Sequence, residues 1–397
     1  MKNRAHVFLL ALLSALALSA CGGGGGAPGT STTPMTNMGQ LRVGLTDAPA
    51  CGFDAVNVTV AKVRVHQSAN ASDTDAGWTD ITLNPARKIN LLKLTNGALE
   101  DLGSTPLAVG HYSQLRLVVA ANSSATPLAN SVVPTGGSEV ALDTPSAVQS
   151  GIKLIHEFDV AANSLVDLTL DFDACKSVLT RGNGNYQLKP TVSVIPTIVS
   201  GAITGYIDPQ LAASHPVITA QINGAVVKAT VPDASSGAFS LSPLVQSSAA
   251  GQYTVVVTAD NSATAVITGV PVTAKQDTAL SSSGAPIKLA ASAMNSVAGT
   301  LLPIAAEGSV KANQTVAAGV TVAIKSVNAD LATGAYALSL PIGAPSLAAY
   351  GSLPLAFTTQ ATAAGKYGID ASASGFATQQ VQVDVSTAGA TQNFVLK

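Results

Sequence analysis

Cysteine, tryptophan and formal charge are all scarce in this chain. Its 397 residues hold three cysteines, one tryptophan and four methionines, and charged residues make up 11%, against about 25% in an average soluble domain. So few cysteines exclude a disulfide-dense scaffold, and a structural zinc site would need further Cys or His ligands at short spacing. The histidines do not supply them: His66, His111, His156 and His215 are scattered, with no i, i+2 or i+4 pairing. Each is expected to be a surface or strand histidine rather than a ligand. Glutamate is rare, which leaves a Glu pair of the glycosidase kind without a seat, although Asp pairs stay open. The net charge is −2 with no basic stripe, so nucleic acid is not expected as a partner. A G-x-S-x-G elbow, an HExxH helix, a Walker A loop and a G-x-G-x-x-G in strand–turn–helix context are all missing.

The long apolar run lies at the start. Lys2 and Arg4 lead into "AHVFLLALLSALALSA", shorter than the roughly 20 residues a spanning helix needs but suited to the apolar region of a secretory signal. It closes on "LSAC", Leu18 to Cys21, and "CGGGGGAPGTSTTP" follows as a flexible tether. The "LSAC" stretch resembles a bacterial lipobox; the alternative is a plain signal peptide with an incidental cysteine. The resemblance implies cleavage before Cys21, acylation there, and stable attachment, since two or more acyl chains hold where one does not. Gly22 stands where lipoproteins retained in the inner membrane often carry Asp, which implies an outer-membrane anchor with the body facing periplasm or cell surface. Residues 1–20 are read as signal peptide and 21–38 as tether.

Beyond the tether, apolar and polar residues alternate with period two. "QLRVGLT", "AVNVTVAKVRVHQ", "YSQLRLVVA", "GIKLIHEFDV", "SLVDLTLDFD" and "TVSVIPTIV" read as strands bounded by turn residues. "INLLKLTNGALEDLG" is read as a strand over Ile89–Leu94 with a helical turn near Leu99. Strands that follow one another without intervening helical patterns predict an all-β chain of tandem antiparallel β-sandwiches. Gly-x-Tyr precedes a strand at Gly110, Gly251 and Gly365, and resembles the tyrosine corner of immunoglobulin-like sandwiches, where the ring packs and the hydroxyl bonds backbone. The later two thirds also share "SGAFSLSPL" and "TGAYALSLP", and "GKYGIDASASGFATQQVQVDV" completes the second copy. This order resembles carboxypeptidase-regulatory-like and transthyretin-like modules, which implies two small sandwiches over 199–292 and 293–397.

The first domain, 39–198, carries a closer resemblance. "GQLRVGLTDAPACGFDAVNVTVAKVRVHQS", "GHYSQLRLVV", "SGIKLIHEFDV" and "LDFDACKSVLTRGNGNYQLKP" resemble the domain-of-unknown-function family 4382 (DUF4382), found at the start of many bacterial lipoproteins. The resemblance implies a setting but no activity. With Cys21 taken by lipid, Cys51 and Cys175 remain as an even pair in an oxidising compartment and are expected to form a disulfide. Across so long a loop it would stabilise by roughly 4–5 kcal/mol in the chain-entropy model. The rival, a catalytic cysteine, needs a base and an electropositive setting, whereas Asp47, Asp54, Asp171 and Asp173 would raise a nearby thiol pKa.

Alternation in "LVDLTLDFDAC" puts Leu168, Leu170, Phe172 and Ala174 on one face and Asp171, Asp173 and Cys175 on the other. A Cys51–Cys175 bond would bring Asp47 to that acidic face, where carboxylates repel unless compensated. Asx-turn N–H groups, Lys176 or Arg181 are the expected compensation; a Ca²⁺ ion held by Asp47, Asp171 and Asp173 is the alternative. "DTDAG" at Asp73 begins like an EF-hand loop, but Asn84 stands where the loop needs Glu, so it is discounted. Trp78 is expected as a core anchor rather than a sugar-stacking platform. Together these readings predict a lipid-anchored bacterial envelope protein, a non-catalytic binding or structural module without cofactor. Its partners would be the membrane and a glycan or an envelope protein. The alternatives are an envelope-polymer hydrolase built on the three aspartates, a calcium-dependent adhesin, or a first domain presented on mere spacers.

Overall fold

The structure, a computed structural model, describes residues 37–48, 52–145, 150–154, 156–182, 184–247 and 252–397. The signal, the lipidation residue Cys21, nearly all of the tether and Cys51 lie outside the described residues. Among the described residues no helix is long and apolar enough to cross a membrane.

The leading strand, Met38–Ala48, buries Leu41, Val43 and Leu45 completely. It runs parallel to the acidic strand Leu165–Asp173 on one side and antiparallel to Glu100–Ala108 on the other. Val192–Pro196 closes this four-stranded sheet beyond the acidic strand. Opposite lies an eight-stranded sheet built on Phe53–His66. That long strand buries Val56, Val58 and Val60, then Val63 and Val65. The inward face changes parity because the register shifts between Val60 and Lys62: one extra residue in a bulge re-aims every side chain after it. Leu168, Leu170 and Phe172 meet these valines in one core.

Two local expectations shift. The strand read at Ile89–Leu94 belongs to Thr79–Asn90, and Leu91–Leu94 is a 3₁₀ turn. Asn90 terminates the strand because its side chain accepts from the Leu92 N–H and caps the turn. The helical turn is therefore earlier than Leu99. Likewise the strand Leu165–Asp173 stops before Cys175, since Asp173 caps a short helix over Ala174–Ser177. Cys175 thus does not share a strand face with Asp171.

The Gly-x-Tyr signature builds the same device three times. The buried rings of Tyr112, Tyr253 and Tyr367 donate their hydroxyls to the carbonyls of Ala108, Val245 and Pro341. The second repeated block is also structural. Asp233 accepts from the N–H groups of Ser235 and Ser236, and Asp330 from those of Ala332 and Thr333. Each turn then passes through a glycine with positive φ, Gly237 at 71° and Gly334 at 70°. A Cβ there would stand 2.1 Å from the Ile207 carbonyl oxygen or 2.6 Å from that of Leu301, so only glycine fits.

A second core gathers Ile203, Ile218, Leu241, Val255 and Ile267, and a third Val297, Val310, Leu338, Tyr367 and Phe394. The pairing is mostly antiparallel, with several parallel pairs besides the leading one. One of these crosses between the later sandwiches. Ser346–Ala349 pairs in parallel with Ala265–Val270 and extends the second sandwich's sheet. Tyr350, Leu355 and Phe357 pack on its core. Thr36–Lys397 is one compact unit.

Candidate functional site

The acidic strand meets the second sandwich at Lys228. This lysine lies on the strand Ala225–Thr230, with its side chain 1% exposed, and its Nζ stands 2.5 Å from Asp171 Oδ1, itself 8% exposed. The same ammonium reaches the Asp47 carbonyl at 3.5 Å. Asp47, at the end of the leading strand, is fully buried. Its Oδ1 accepts from the Ala174 N–H at 3.0 Å, while Oδ2 finds no partner among the described residues. The parallel register sets Asp47 against Phe172, so strand pairing brings Asp47 and Asp171 near one another, while alternation turns their side chains to opposite faces of the sheet.

Burial pushes the Asp47 carboxyl well above its ordinary value, opposed by the Ala174 N–H, with Asp173 and Asp171 adding to the rise. Burial also raises Asp171, and the Lys228 ammonium works against it. The buried Asp171 carboxyl is met by the equally buried Lys228 ammonium, which is how a dry interface tolerates such groups. A cleft of about 310 Å³ opens beside it, walled by Ile195, Ile222, Val227 and Val245.

The compensation differs from that expected. Asp173 does cap a turn and pairs with Lys176 at 2.6 Å, but Arg181 turns away to Asp143 at 2.8 Å. The cation at Asp171 is the Lys228 ammonium, from another sandwich. Among the described residues no group of three or more His, Cys, Asp or Glu is placed to hold a metal ion, so the proposed ligand set of Asp47, Asp171 and Asp173 has no geometric support. Lys228 was missed because it lies far along the chain. One signal was available: alternation in "AVVKAT" puts Lys228 on the same face as Val226 and Thr230, an odd place for a lysine unless a carboxylate receives it. Cys175 is not a free thiol. Its expected partner, Cys51, lies outside the described residues.

Trp78 is neither a plain core anchor nor an open platform. The guanidinium carbons of Arg64 and Arg116 each stand 4.6 Å from its ring centroid, and its Nε1 donates to the Ser72 carbonyl. Arg116, 1% exposed, binds Asp73 and the carbonyls of Ala71 and Ser150. The loop that begins like an EF-hand is therefore folded around an arginine. His111 and His215 pair with Asp159 and Asp260, and the described histidines form no ligand cluster.

No curated protein matches the chain. Among solved structures it is similar to a type II Cohesin-X-Dockerin complex from Acetivibrio cellulolyticus, with 32% identity and a TM-score of 0.19, over 23% of this chain and 58% of that one. The chain thus spans less than two thirds of that relative's length. It is also similar to BcpA, the major pilin subunit of Bacillus cereus, with 13% identity over 91% of this chain and 99% of that one, at a TM-score of 0.16. The pilus adhesin SpaC from Lactobacillus rhamnosus GG matches at 10% identity over 90% and 44%, with a TM-score of 0.14. Residues 38–190, within the first sandwich, match the family described as Domain of unknown function (DUF4382).

Proposed function

We propose that this is a lipid-anchored protein of the bacterial outer membrane whose three-sandwich body is a non-catalytic binding or structural module. The anchor reading rests on "LSAC" and the glycine-rich tether after it. The reading of the body rests on one observation, the Asp171–Lys228 pair buried between the first two sandwiches. Each aspartate nominated for chemistry is engaged in holding the fold: Asp171 by Lys228, Asp173 by Lys176 and its own helix cap, and Asp47 by burial against Ala174. Asp47, with no exposure, offers no approach to an envelope polymer, and Asp171 and Asp173 are each engaged by a lysine, which weighs against the hydrolase. The ties between sandwiches also make the later two more than spacers. Partners, whether glycan or envelope protein, would meet the exposed surface of this body. A Cys51–Cys175 disulfide would brace the end of the leading strand beside Asp47.

The anchor is tested by Cys21→Ser. Membrane fractions should lose the protein to the soluble fraction; continued membrane association would overturn the anchor. Peptide mapping without reductant should yield a Cys51–Cys175 cross-linked peptide, and two freely alkylated thiols would contradict it.

A further inference from the structure

A second, polar cleft of about 530 Å³ opens on the first sandwich, where Asp143, Arg181, Asn185 and Tyr186 converge with Asn122. The strand register explains the convergence. Tyr186–Leu188 runs parallel to Val140–Asp143, pairing Tyr186 with Leu142, and antiparallel to Val178–Thr180, so one hairpin sets Arg181, Asn185 and Tyr186 around Asp143. Asn122 is spent on structure, donating to the carbonyls of Asn130 and Leu142. The polar ends of the other four are not, although the Tyr186 ring packs against the first core. Among the described residues the Arg181 guanidinium makes one hydrogen bond, Nη1 to Asp143 Oδ2 at 2.8 Å, of the five it can donate. Asp143 keeps its second oxygen. The Asn185 amide has only a 3.5 Å contact to the Gly182 carbonyl, and the Tyr186 hydroxyl bonds to none of the described residues. The Tyr186 ring is fixed edge-on to Phe53, with centroids 5.5 Å apart.

The hairpin is also buttressed from outside its sandwich. Leu331 of the third sandwich donates its N–H to the Thr180 carbonyl at 2.9 Å, and a Cβ at Gly182 would stand 3.0 Å from that of Ala332. The repeated Asp330 turn therefore holds the base of the loop that carries Arg181. An isolated surface ion pair contributes little to stability, so stability alone does not account for this support.

We propose that this cleft binds a neutral carbohydrate. The charge count selects the class. Arg181 and Asp143 neutralise each other, so an anion would have to displace Asp143 and a cation would have to displace Arg181. A polyol needs neither: its adjacent hydroxyls both donate and accept, matching the free carboxylate oxygen, the spare guanidinium N–H groups and the Asn185 amide. The tyrosine ring supplies the apolar wall that a pyranose face needs. The volume falls in the range of small-ligand sites, about 300–1,000 Å³. This deepens the reading of the body as a binding module and stands apart from the anchor, which Cys21→Ser tests separately.

Titration calorimetry of the full mature protein in detergent against chitotetraose, cellotetraose and maltotetraose tests the site, with inorganic phosphate as the anionic probe. At least one oligosaccharide should bind in the millimolar range or tighter, and phosphate should not. Arg181→Ala and Asp143→Asn should each weaken that binding roughly tenfold or more, as for loss of a charged hydrogen bond. Tyr186→Phe keeps the ring on Phe53 and should weaken it less. Failure of all three oligosaccharides to bind, unchanged binding by Arg181→Ala, or binding of phosphate instead would each overturn the proposal.

Discussion

The two seams of this body are made from different materials. Between the first and second sandwiches the central contact is ionic and dry: Lys228 on Asp171, with Asp47 sealed beside them. Asn96 flanks it, its N–H donating to Thr230 Oγ1 and its side chain accepting from the Ser240 N–H. Between the second and third sandwiches the contact is apolar and amide. Val256, Val266, Val316 and Val322 form a small core of their own. Gln221 exchanges two 2.8 Å hydrogen bonds with the Ala323 backbone, and Ser346–Ala349 crosses over to pair with the neighbouring sheet. A buried ion pair gains little over an apolar contact of the same shape, but it is costly to break by halves. An amide–backbone exchange fails more gently, and it does not titrate.

The largest expected effect is therefore at the first seam. Lys228→Met leaves Asp171 buried without its cation and should cost about 3–5 kcal/mol in urea unfolding. Adding Asp171→Leu removes the stranded charge and should recover most of that loss; a single variant within about 1 kcal/mol of wild type would mean the pair is not dry. At the second seam Gln221→Ala orphans the buried N–H and C=O of Ala323, for an expected loss of about 2–3 kcal/mol by the same assay.

The smallest effect is the one that separates the seams by pH. Asp47 is held above its ordinary carboxylate value by burial, and Asp171 is raised in the same direction. Groups shifted upward in the folded chain contribute stability that is fully present below the ordinary value. That stability is lost as pH rises through the raised folded value. Denaturation midpoints taken across that rise should fall for wild type and for Gln221→Ala. Asp47→Asn should flatten the fall, and an equally steep fall in that variant would assign the titration elsewhere.

Much of this architecture was legible in the sequence, and the limits have a physical pattern. Alternation marked the leading, acidic and Phe53–His66 strands, because each buries one face against a single core. The three Gly-x-Tyr corners were legible because ring burial and hydroxyl bonding are local needs of a strand start. The turn at Leu91–Leu94 was displaced in the reading because an Asn cap, rather than apolar spacing, ends the strand there. An acidic face on this strand could be anticipated, but the cation that meets Asp171 could not. Lys228 reaches Asp171 only once two sandwiches dock, and nothing local to "AVVKAT" specifies that docking. The crossing of Ser346–Ala349 is hidden for the same reason, since a strand's own sequence does not name its neighbour.

Scanning calorimetry of the full chain, wild type against Lys228→Met, tests most directly whether the three sandwiches are one body locked at the charged seam. Wild type should unfold in a single cooperative transition, with calorimetric and van't Hoff enthalpies in agreement. Lys228→Met should split off an earlier transition. Separate transitions already present in wild type, unchanged by Lys228→Met, would contradict the account.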